Sequence, residues 1–327
     1  MDKERDTYFD LLRGIAIIMV VGIHTYGDGL LHFNLIIRQL LNCAVPIFLA
    51  ISGYFIGLKS FEEKGSYSRF LKKQITRVYF PMLFWSIPWV LLSIKAGSDL
   101  WQTLLTAFFG GVSIFYFITL IIQYYVLTPV IQKVNISNRG GYSVILTIVG
   151  ISLFDYLQRI QGVKLSLLEA ASPFIVWMVF YVMGTLKAQK LDMPITFRRP
   201  LIGVALGIVL SCIHILWFYH YYGCVVPGIK LSSHIYTYFV VLWLFSDDAR
   251  KLYNKVKVSK TVKWIEEVGT LSFFIYLNHC LFIFAISVLH VPHIWFLRWP
   301  LCILLSYMFA KICYRKCPNA IKKYVGL

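Results

Sequence analysis

Three ionisable residues lie in the first long apolar stretch of the chain: Asp10, Arg13 and His24. Ionisable side chains are costly in such a stretch, which makes them candidates for function. Asp10 precedes Arg13 by three residues, within ion-pair reach on a helix. Arg13 precedes His24 by eleven residues, about three helical turns, so both side chains should lie on one face, roughly 16 Å apart along the axis. A neutral histidine at that position can accept the proton of a hydroxyl group.

A second polar stripe lies near the end of the chain. Ser272, Tyr276 and His279 follow an i, i+4, i+7 spacing, so on a helix they lie within about 60° of one another. Such a stripe can hold a hydrogen-bonded chain between helices, or it can be a polar contact through which helices pack. Asp10, Arg13 and His24 also have a structural interpretation, in which they anchor the two ends of an apolar helix.

Two more candidates belong to the second apolar stretch. Ser52 stands next to Gly53 in the run Pro46–Tyr54, and small residues of this kind permit close helix approach. Arg38 comes just before this run. It can bind an anionic group, or it can anchor the apolar run by extending its charge into a polar boundary.

The composition says which elements must position these residues. Of the 327 residues, 58% are apolar and only 14% are charged, against about 45–50% and about 25% in soluble domains. This excludes a soluble globular enzyme, a disordered chain and a coiled coil. The net charge of +17 does not indicate a nucleic-acid binder, because the basic residues separate long apolar runs and do not form a polar face. An integral membrane protein remains.

The apolar runs predict an all-α bundle of about ten transmembrane helices, since irregular backbone cannot face lipid. The chain 1–327 is expected to be a single transmembrane domain. The predicted spans are Tyr8–His24, Leu40–Gly57, Val78–Ile94, Ile114–Val134, Tyr142–Leu157, Pro173–Leu186, Leu201–Tyr221, His234–Phe245, Leu271–His290 and Ile294–Cys313.

The distribution of positive charge predicts the orientation. With ten spans both termini lie on one side, and most of the 32 Lys and Arg residues fall on that side. The other side has only Arg38, Lys95, Arg159, Lys164, Lys230 and Arg298. Basic loops remain in the cytoplasm, so both termini are predicted to be cytoplasmic. The seven cysteines show no C-x-x-C or disulfide pattern, and no metal site is expected.

Four motifs resemble those of the acyltransferase type 3 family of integral membrane acyltransferases. Asp10–Ala16 followed by His24 resembles its opening signature, an Arg and a His separated by ten residues. Val45–Tyr54 resembles the motif of its second span, and Phe70–Arg77 its basic entry to the third span. Leu271–His279 resembles its late Ser-x-x-Ile-Tyr-Leu-x-His motif. The four occur in the family's order over about 270 residues and indicate a short member without an esterase-like domain.

One position departs from the family pattern. The entry to the third span often reads Arg-x-x-Arg, and here Gln74 stands at the first of these positions. Arg77 matches the second. Either Gln74 or the adjacent Lys73 can take the role of the first arginine, and the sequence does not choose between them.

The resemblance implies an O-acetyltransferase of a bacterial inner membrane. The donor would be acetyl-CoA, used as a co-substrate without a permanently bound cofactor, and the acceptor a hydroxyl of an extracytoplasmic or lipid-linked glycan. Membrane lipids surround such a protein, and nucleic acid is not a partner. His24 would be the catalytic base or a transient acyl carrier, beside Arg13 and Asp10. The CoA phosphates would be bound by Lys72, Lys73 and Arg77, and the remaining pocket residues would be Arg38, Ser52, Tyr54, Ser272, Tyr276 and His279.

Two other functions fit the same sequence. Ten spans with intramembrane charges are also typical of a transporter or flippase for a polysaccharide or a lipid-linked sugar, without acyl-transfer chemistry. A structural partner of a polysaccharide synthase is the third possibility. Consumption of acetyl-CoA would distinguish the O-acetyltransferase from the transporter and from the structural partner.

Overall fold

The computed structural model describes residues 5–26, 32–192, 195, 198–222 and 229–327, and in that part of the chain all regular secondary structure is helical. The first half contains α1 (Thr7–Thr25), α2 (His32–Leu40), α3 (Ala44–Gly57), α4 (Ser66–Lys95), α5 (Leu100–Phe108), α6 (Tyr116–Asn138), α7 (Gly141–Asp155) and α8 (Leu167–Ala171). The second half contains α9 (Met178–Ala188), α10 (Pro200–Tyr222), α11 (Leu231–Leu244), α12 (Asp247–Val256), α13 (Lys260–Thr270), α14 (Ser272–Val288), α15 (Trp295–Lys316) and α16 (Asn319–Val325). The all-α class is confirmed.

Seven helices of the described residues are long and apolar enough to cross a membrane, or up to eight if the bent pair α13 and α14 counts as one span. The seven are Thr7–Thr25, Ile36–Gly57, Ser66–Lys95, Tyr116–Val134, Gly141–Ile160, Pro200–Tyr221 and Trp295–Lys316. The sixth and eighth predicted spans correspond to α9 and α11. These have 11 and 14 residues, which is short for a bilayer core of about 30 Å. The count of ten therefore stays a prediction.

The helix α1 lies at the centre of the bundle and packs against α3, α13, α14 and α15. Ala16, Ile17 and Val21 are fully buried on it. The backbones of α1 and α13 approach each other very closely where they cross, because Gly14 and Gly269 lie at the contact. A Cβ at Gly269 would stand 1.8 Å from the carbonyl oxygen of Asp10, so the crossing requires glycine. This crossing fixes the start of α1, which carries Asp10 and Arg13.

Two tryptophans of α15 show how it runs relative to α1. The Trp295 indole donates to the Gly22 carbonyl at 2.9 Å, and the Trp299 indole donates to the Ile18 carbonyl at 2.8 Å. The two helices are therefore antiparallel, and the start of α1 and the end of α15 lie at one end of the bundle. We call this the terminal end, and the opposite end, near Trp295, the far end.

A sharp bend separates α13 from α14 at the terminal end. The two helices meet at Leu271 with an angle of 84° between them. The first turn of α14 therefore begins inside the bundle, and Ser272 and Phe273 face a cavity there. The predicted ninth span, Leu271–His290, is the α14 arm of this bent pair.

The outer surface of the bundle is apolar. Leu206, Val209 and Ile213 of α10 expose more than half of their surface, and similar residues cover α4 and α15. Such a continuous apolar surface is not stable in water but fits a lipid environment.

Candidate functional site

A cavity of about 750 Å³ passes through the bundle beside α1. At the terminal end it is lined by Lys59, Gln74 and Arg77, and at the far end by Asp155 and Gln158. The walls come from α1, α3, α4, α6, α7 and α14. Its size is that of a small-molecule or cofactor site. The cavity therefore extends beside α1 between the terminal end and the far end of the bundle.

His24 lines this cavity near the C-terminal end of α1. No hydrogen bond of its imidazole is formed within the described residues, so both ring nitrogens can serve a bound molecule. The ring lies beside that of His279, with 5.6 Å between the centroids and 44° between the planes. The site thus holds two histidines, one facing the cavity and one behind it.

The tautomer of His279 follows from its contacts. Its Nδ1 lies 3.0 Å from the carbonyl oxygen of Ile275 and 2.9 Å from that of Tyr276. Carbonyl oxygens only accept, so Nδ1 carries the proton. In neutral His279 the Nε2 atom is then an acceptor, and the Cys280 thiol lies 3.6 Å from it. This fixed imidazole gives the His24 ring a polar neighbour in the core.

The predicted Asp10–Arg13 ion pair is present, with 3.0 Å between Oδ1 and a terminal guanidinium nitrogen. Asp10 is almost fully buried, and Arg5 also binds it, through Nε at 2.6 Å and a terminal nitrogen at 2.9 Å. These hydrogen bonds raise the pKa of Arg5 above its ordinary value. Two arginines therefore balance one buried carboxylate, and Arg13 lines the cavity with its charge fixed in place.

Arg13 has a second contact that sets its position. Its guanidinium lies over the Phe55 ring, 5.1 Å from the centroid, and Phe55 also lines the cavity. Arg77 lines the same end, and in the described part of the chain it makes no ion pair. Together they give the terminal end of the cavity a positive charge suited to phosphate groups.

A second polar network occupies the far end. Arg38 donates to the Asn42 side chain at 2.6 Å, and the Asn42 amide donates to the Gln39 side chain at 2.9 Å. The same Gln39 oxygen accepts from Nζ of Lys230, a side chain that is fully buried. Arg38 and Asn42 line the cavity.

The predicted site residues divide into three groups. Those that line the cavity are Arg13, His24, Arg38, Ser52, Arg77, Ser272 and Tyr276. Asp10 and His279 lie directly behind this group, in contact with Arg13 and His24. The Tyr276 hydroxyl donates to the Ile114 carbonyl at 2.6 Å, and the His279 imidazole to its own helix. The Ser272–Tyr276–His279 stripe therefore forms no hydrogen-bonded chain of side chains.

Three predicted residues lie away from the cavity. Lys72 and Lys73 are exposed on α4, whereas Gln74 lines the cavity beside Arg77. Helical geometry explains this, because Gln74 and Arg77 are three residues apart and share a face, while the two lysines point elsewhere. Tyr54 packs against the rings of Phe9 and Phe245 and so belongs to the packed core.

Several residues that line the cavity were not predicted from the sequence, among them Asn42, Lys59, Tyr116 and Gln158. The position of Asn42, four residues after Arg38, was a usable signal, because i, i+4 neighbours meet on a helix. The other three had none, since they come from loops or helix ends whose spatial neighbours are remote in sequence. Among the described residues, no three His, Cys, Asp or Glu side chains lie together as a metal site would require.

Comparison with known proteins agrees with the four motifs. Residues 6–315 match the family described as acyltransferase domain, Acyl_transf_3, which covers nearly the whole chain. No curated protein and no solved structure matches the chain. The family assignment therefore rests on this match together with the motif residues, of which Arg13, His24 and Arg77 face one cavity. The chain belongs to the acyltransferase type 3 family and is a membrane acyltransferase.

Proposed function

We propose that this acyltransferase transfers an acetyl group, or another short acyl group, from acyl-CoA to a hydroxyl of a glycan. The donor enters from the terminal end, which is the cytoplasmic end in this proposal. The acceptor is an extracytoplasmic or lipid-linked glycan that enters from the far end. The setting is the inner membrane of a bacterium, and the product is an O-acylated polysaccharide or its precursor.

One observation carries the proposal: a single cavity joins a cationic entrance to a histidine near the other end. Arg13 and Arg77 supply the positive charge at the terminal end, where the CoA phosphates would bind. His24 lies about 16 Å further along α1, by helix geometry. The extended pantetheine arm of CoA can cover such a length, which would bring the thioester to the imidazole.

The chemistry then follows from the properties of a neutral imidazole. The acceptor hydroxyl oxygen attacks the thioester carbonyl carbon while His24 takes the hydroxyl proton. The carbon–sulfur bond breaks, and the proton passes to the CoA thiolate, which leaves as the thiol. In the alternative route, His24 first attacks the thioester itself and then passes the acyl group to the hydroxyl. In both routes the bound donor and acceptor would have to displace water from the cavity, because water would otherwise hydrolyse the thioester.

The test is the rate of acetyl-CoA consumption by purified protein in lipid nanodiscs with a hydroxyl-bearing oligosaccharide. We expect His24→Ala to lower the rate by about 10²–10⁴-fold, the usual contribution of a general base. His293→Ala is the matched control, because His293 is exposed and does not line the cavity. Unchanged acetyl-CoA binding by His24→Ala shows that the variant is folded.

Three results would contradict the proposal. A wild-type rate in His24→Ala removes the role of that residue, and no binding of any CoA thioester by the wild type removes acyl-CoA as the donor. Transfer of an unmodified glycan across the membrane without thioester cleavage favours a transporter. Mass spectrometry of a rapidly quenched reaction separates the two chemical routes, because only the second leaves an acyl group on His24.

A further inference from the structure

We infer that Arg38 binds an anionic group of the acceptor, a carboxylate or a phosphate, at the far end of the cavity. This inference rests on the proposed function, because it defines the class of acceptor for the same site. The acceptor would then be an acidic glycan or a sugar linked to lipid through phosphate, and not a neutral sugar.

The first support is the charge at the far end. Arg38 and Lys230 both lie there, and neither is within 4 Å of a carboxylate in the described part of the chain. The carboxylate that lines this end of the cavity, Asp155, pairs with Arg159 at 3.3 Å. Asp155 also interacts electrostatically with Lys230, so among the described residues at this end one carboxylate faces three basic side chains, Arg38, Arg159 and Lys230. An anionic group bound beside Arg38 is stabilised by this excess of positive charge.

The second support is the way Arg38 is held. Its guanidinium donates once, to Asn42, and makes no other hydrogen bond to the described residues. Asn42 is fixed in turn by Gln39 and, at 3.4 Å, by the Ser233 hydroxyl. The guanidinium is therefore oriented by a network, while most of its N–H groups have no partner in the described part of the chain. A planar fork held in this way matches the two oxygens of a carboxylate or phosphate.

The third support is an unsatisfied donor in the same network. Gln39 is 1% exposed, and its side-chain oxygen accepts from both Asn42 and Lys230. Those two donors fix which way the amide points, so its Nε2 donor faces away from them. That Nε2 atom is buried and has no partner among the described residues. Gln39 does not line the cavity, so this donor is not itself a contact of the ligand; it shows that the network that holds Arg38 is not fully satisfied among the described residues.

The experiment measures binding of two matched probe pairs to protein in nanodiscs. One pair is a glucuronic-acid-containing tetrasaccharide and the same tetrasaccharide with its carboxylates reduced to alcohols. The other is a prenyl diphosphate-linked sugar and an alkyl glycoside of that sugar. In one of the two pairs, the wild type is expected to bind the charged compound at least tenfold more tightly than its uncharged counterpart. The pair that shows this preference identifies the source of the anion.

Variants assign the preference to Arg38. Arg38→Gln is expected to abolish it, and Arg38→Lys to keep part of it, because the charge remains while the planar fork is lost. Lys95→Gln is the control, since Lys95 is an exposed cation, is the last residue of α4 and does not line the cavity. Acetyl-CoA binding within twofold of the wild-type value shows that Arg38→Gln is folded.

Other results would overturn the inference. It is wrong if the wild type prefers neither charged probe, or if Arg38→Gln keeps the preference. It is also wrong if Arg38→Gln loses acetyl-CoA affinity as strongly as it loses the charged sugar, because Arg38 then belongs to the donor site. The proposed function itself fails if the wild type binds no acyl-CoA. The comparison of charged and uncharged sugar probes does not depend on acyl-CoA, so it is measured in that case as well.

Discussion

The first half of α1 shows how a single carboxylate can organise a cationic entrance. Asp10 is buried and holds Arg5 and Arg13 at hydrogen-bond distance, so the Arg13 charge is fixed beside the cavity. Without that carboxylate, two arginines near a low-dielectric region would repel each other. Asp10 thus acts by positioning Arg13, and it does not line the cavity itself.

The basic run on α4 can bind CoA through all of its cations or only through those that reach the cavity entrance. The sequence predicts CoA contacts for Lys72, Lys73 and Arg77, whereas only Arg77 of these lines the cavity. We expect Arg77→Gln to weaken acetyl-CoA binding about tenfold, as loss of a charge-assisted contact does. The double change of Lys72 and Lys73 to Gln is expected to weaken it less than threefold, because both side chains are exposed.

Isothermal titration of purified variants with acetyl-CoA checks this prediction. Both proteins are compared with the wild type at one ionic strength, since exposed charges are screened by salt. An effect of the lysine pair equal to that of Arg77 would restore the assignment made from the sequence.

At the scale of elements, close crossings between helices set the shape of the cavity. The helices α3 and α9 cross where Gly53 and Gly184 meet. A Cβ at Gly184 would stand 1.9 Å from the Ala50 carbonyl oxygen. Backbones this close cannot give way to a methyl group, so the helices must separate. Because Ser52 and Phe55 of α3 line the cavity, a separation would also displace its wall.

We therefore expect Gly184→Ala to destabilise the protein by about 1–3 kcal/mol, the usual cost of overpacking. Thermal unfolding in nanodiscs, followed by tryptophan fluorescence, measures this. Gly141→Ala is the matched control, because its nearest atom would be 3.8 Å away and its φ is not positive. A loss of stability of equal size in both variants would show that the crossing is not the cause.

For the whole molecule, the main question is how the cavity is oriented in the membrane. The start of α1 and the end of α15 lie at the same end of the bundle. This is the arrangement that an even number of membrane crossings would produce. The distribution of Lys and Arg predicts that this end is cytoplasmic. The proposed direction of transfer, from the terminal end to the far end, depends on that prediction.

Cysteine labelling of sealed vesicles tests it. Lys257→Cys lies in the exposed turn after α12, and Lys164→Cys in the exposed segment before α8. An impermeant thiol reagent is expected to label Lys257→Cys in inside-out vesicles only and Lys164→Cys in right-side-out vesicles only. Labelling is measured as the gain over the wild type, which has its own cysteines. Labelling of both positions from one side would contradict the orientation.

The sequence by itself determined the all-α membrane class, because long apolar runs can satisfy their backbone groups in lipid only as helices. It also determined that Asp10, Arg13 and His24 share a face, since that depends only on the helical repeat within one element. The family motifs added Arg77 to the same group.

The tertiary structure decided what one helix cannot encode. It placed His279 behind His24, joined Arg38 to Lys230 through Gln39 and Asn42, and turned Lys72 and Lys73 away from the cavity. These contacts depend on which helix faces meet and on the 84° bend before α14. Contacts between residues nearly 200 positions apart, such as that of Gln39 with Lys230, leave no local pattern in the sequence. Periodicity reports the face of a helix, whereas only packing decides what that face meets.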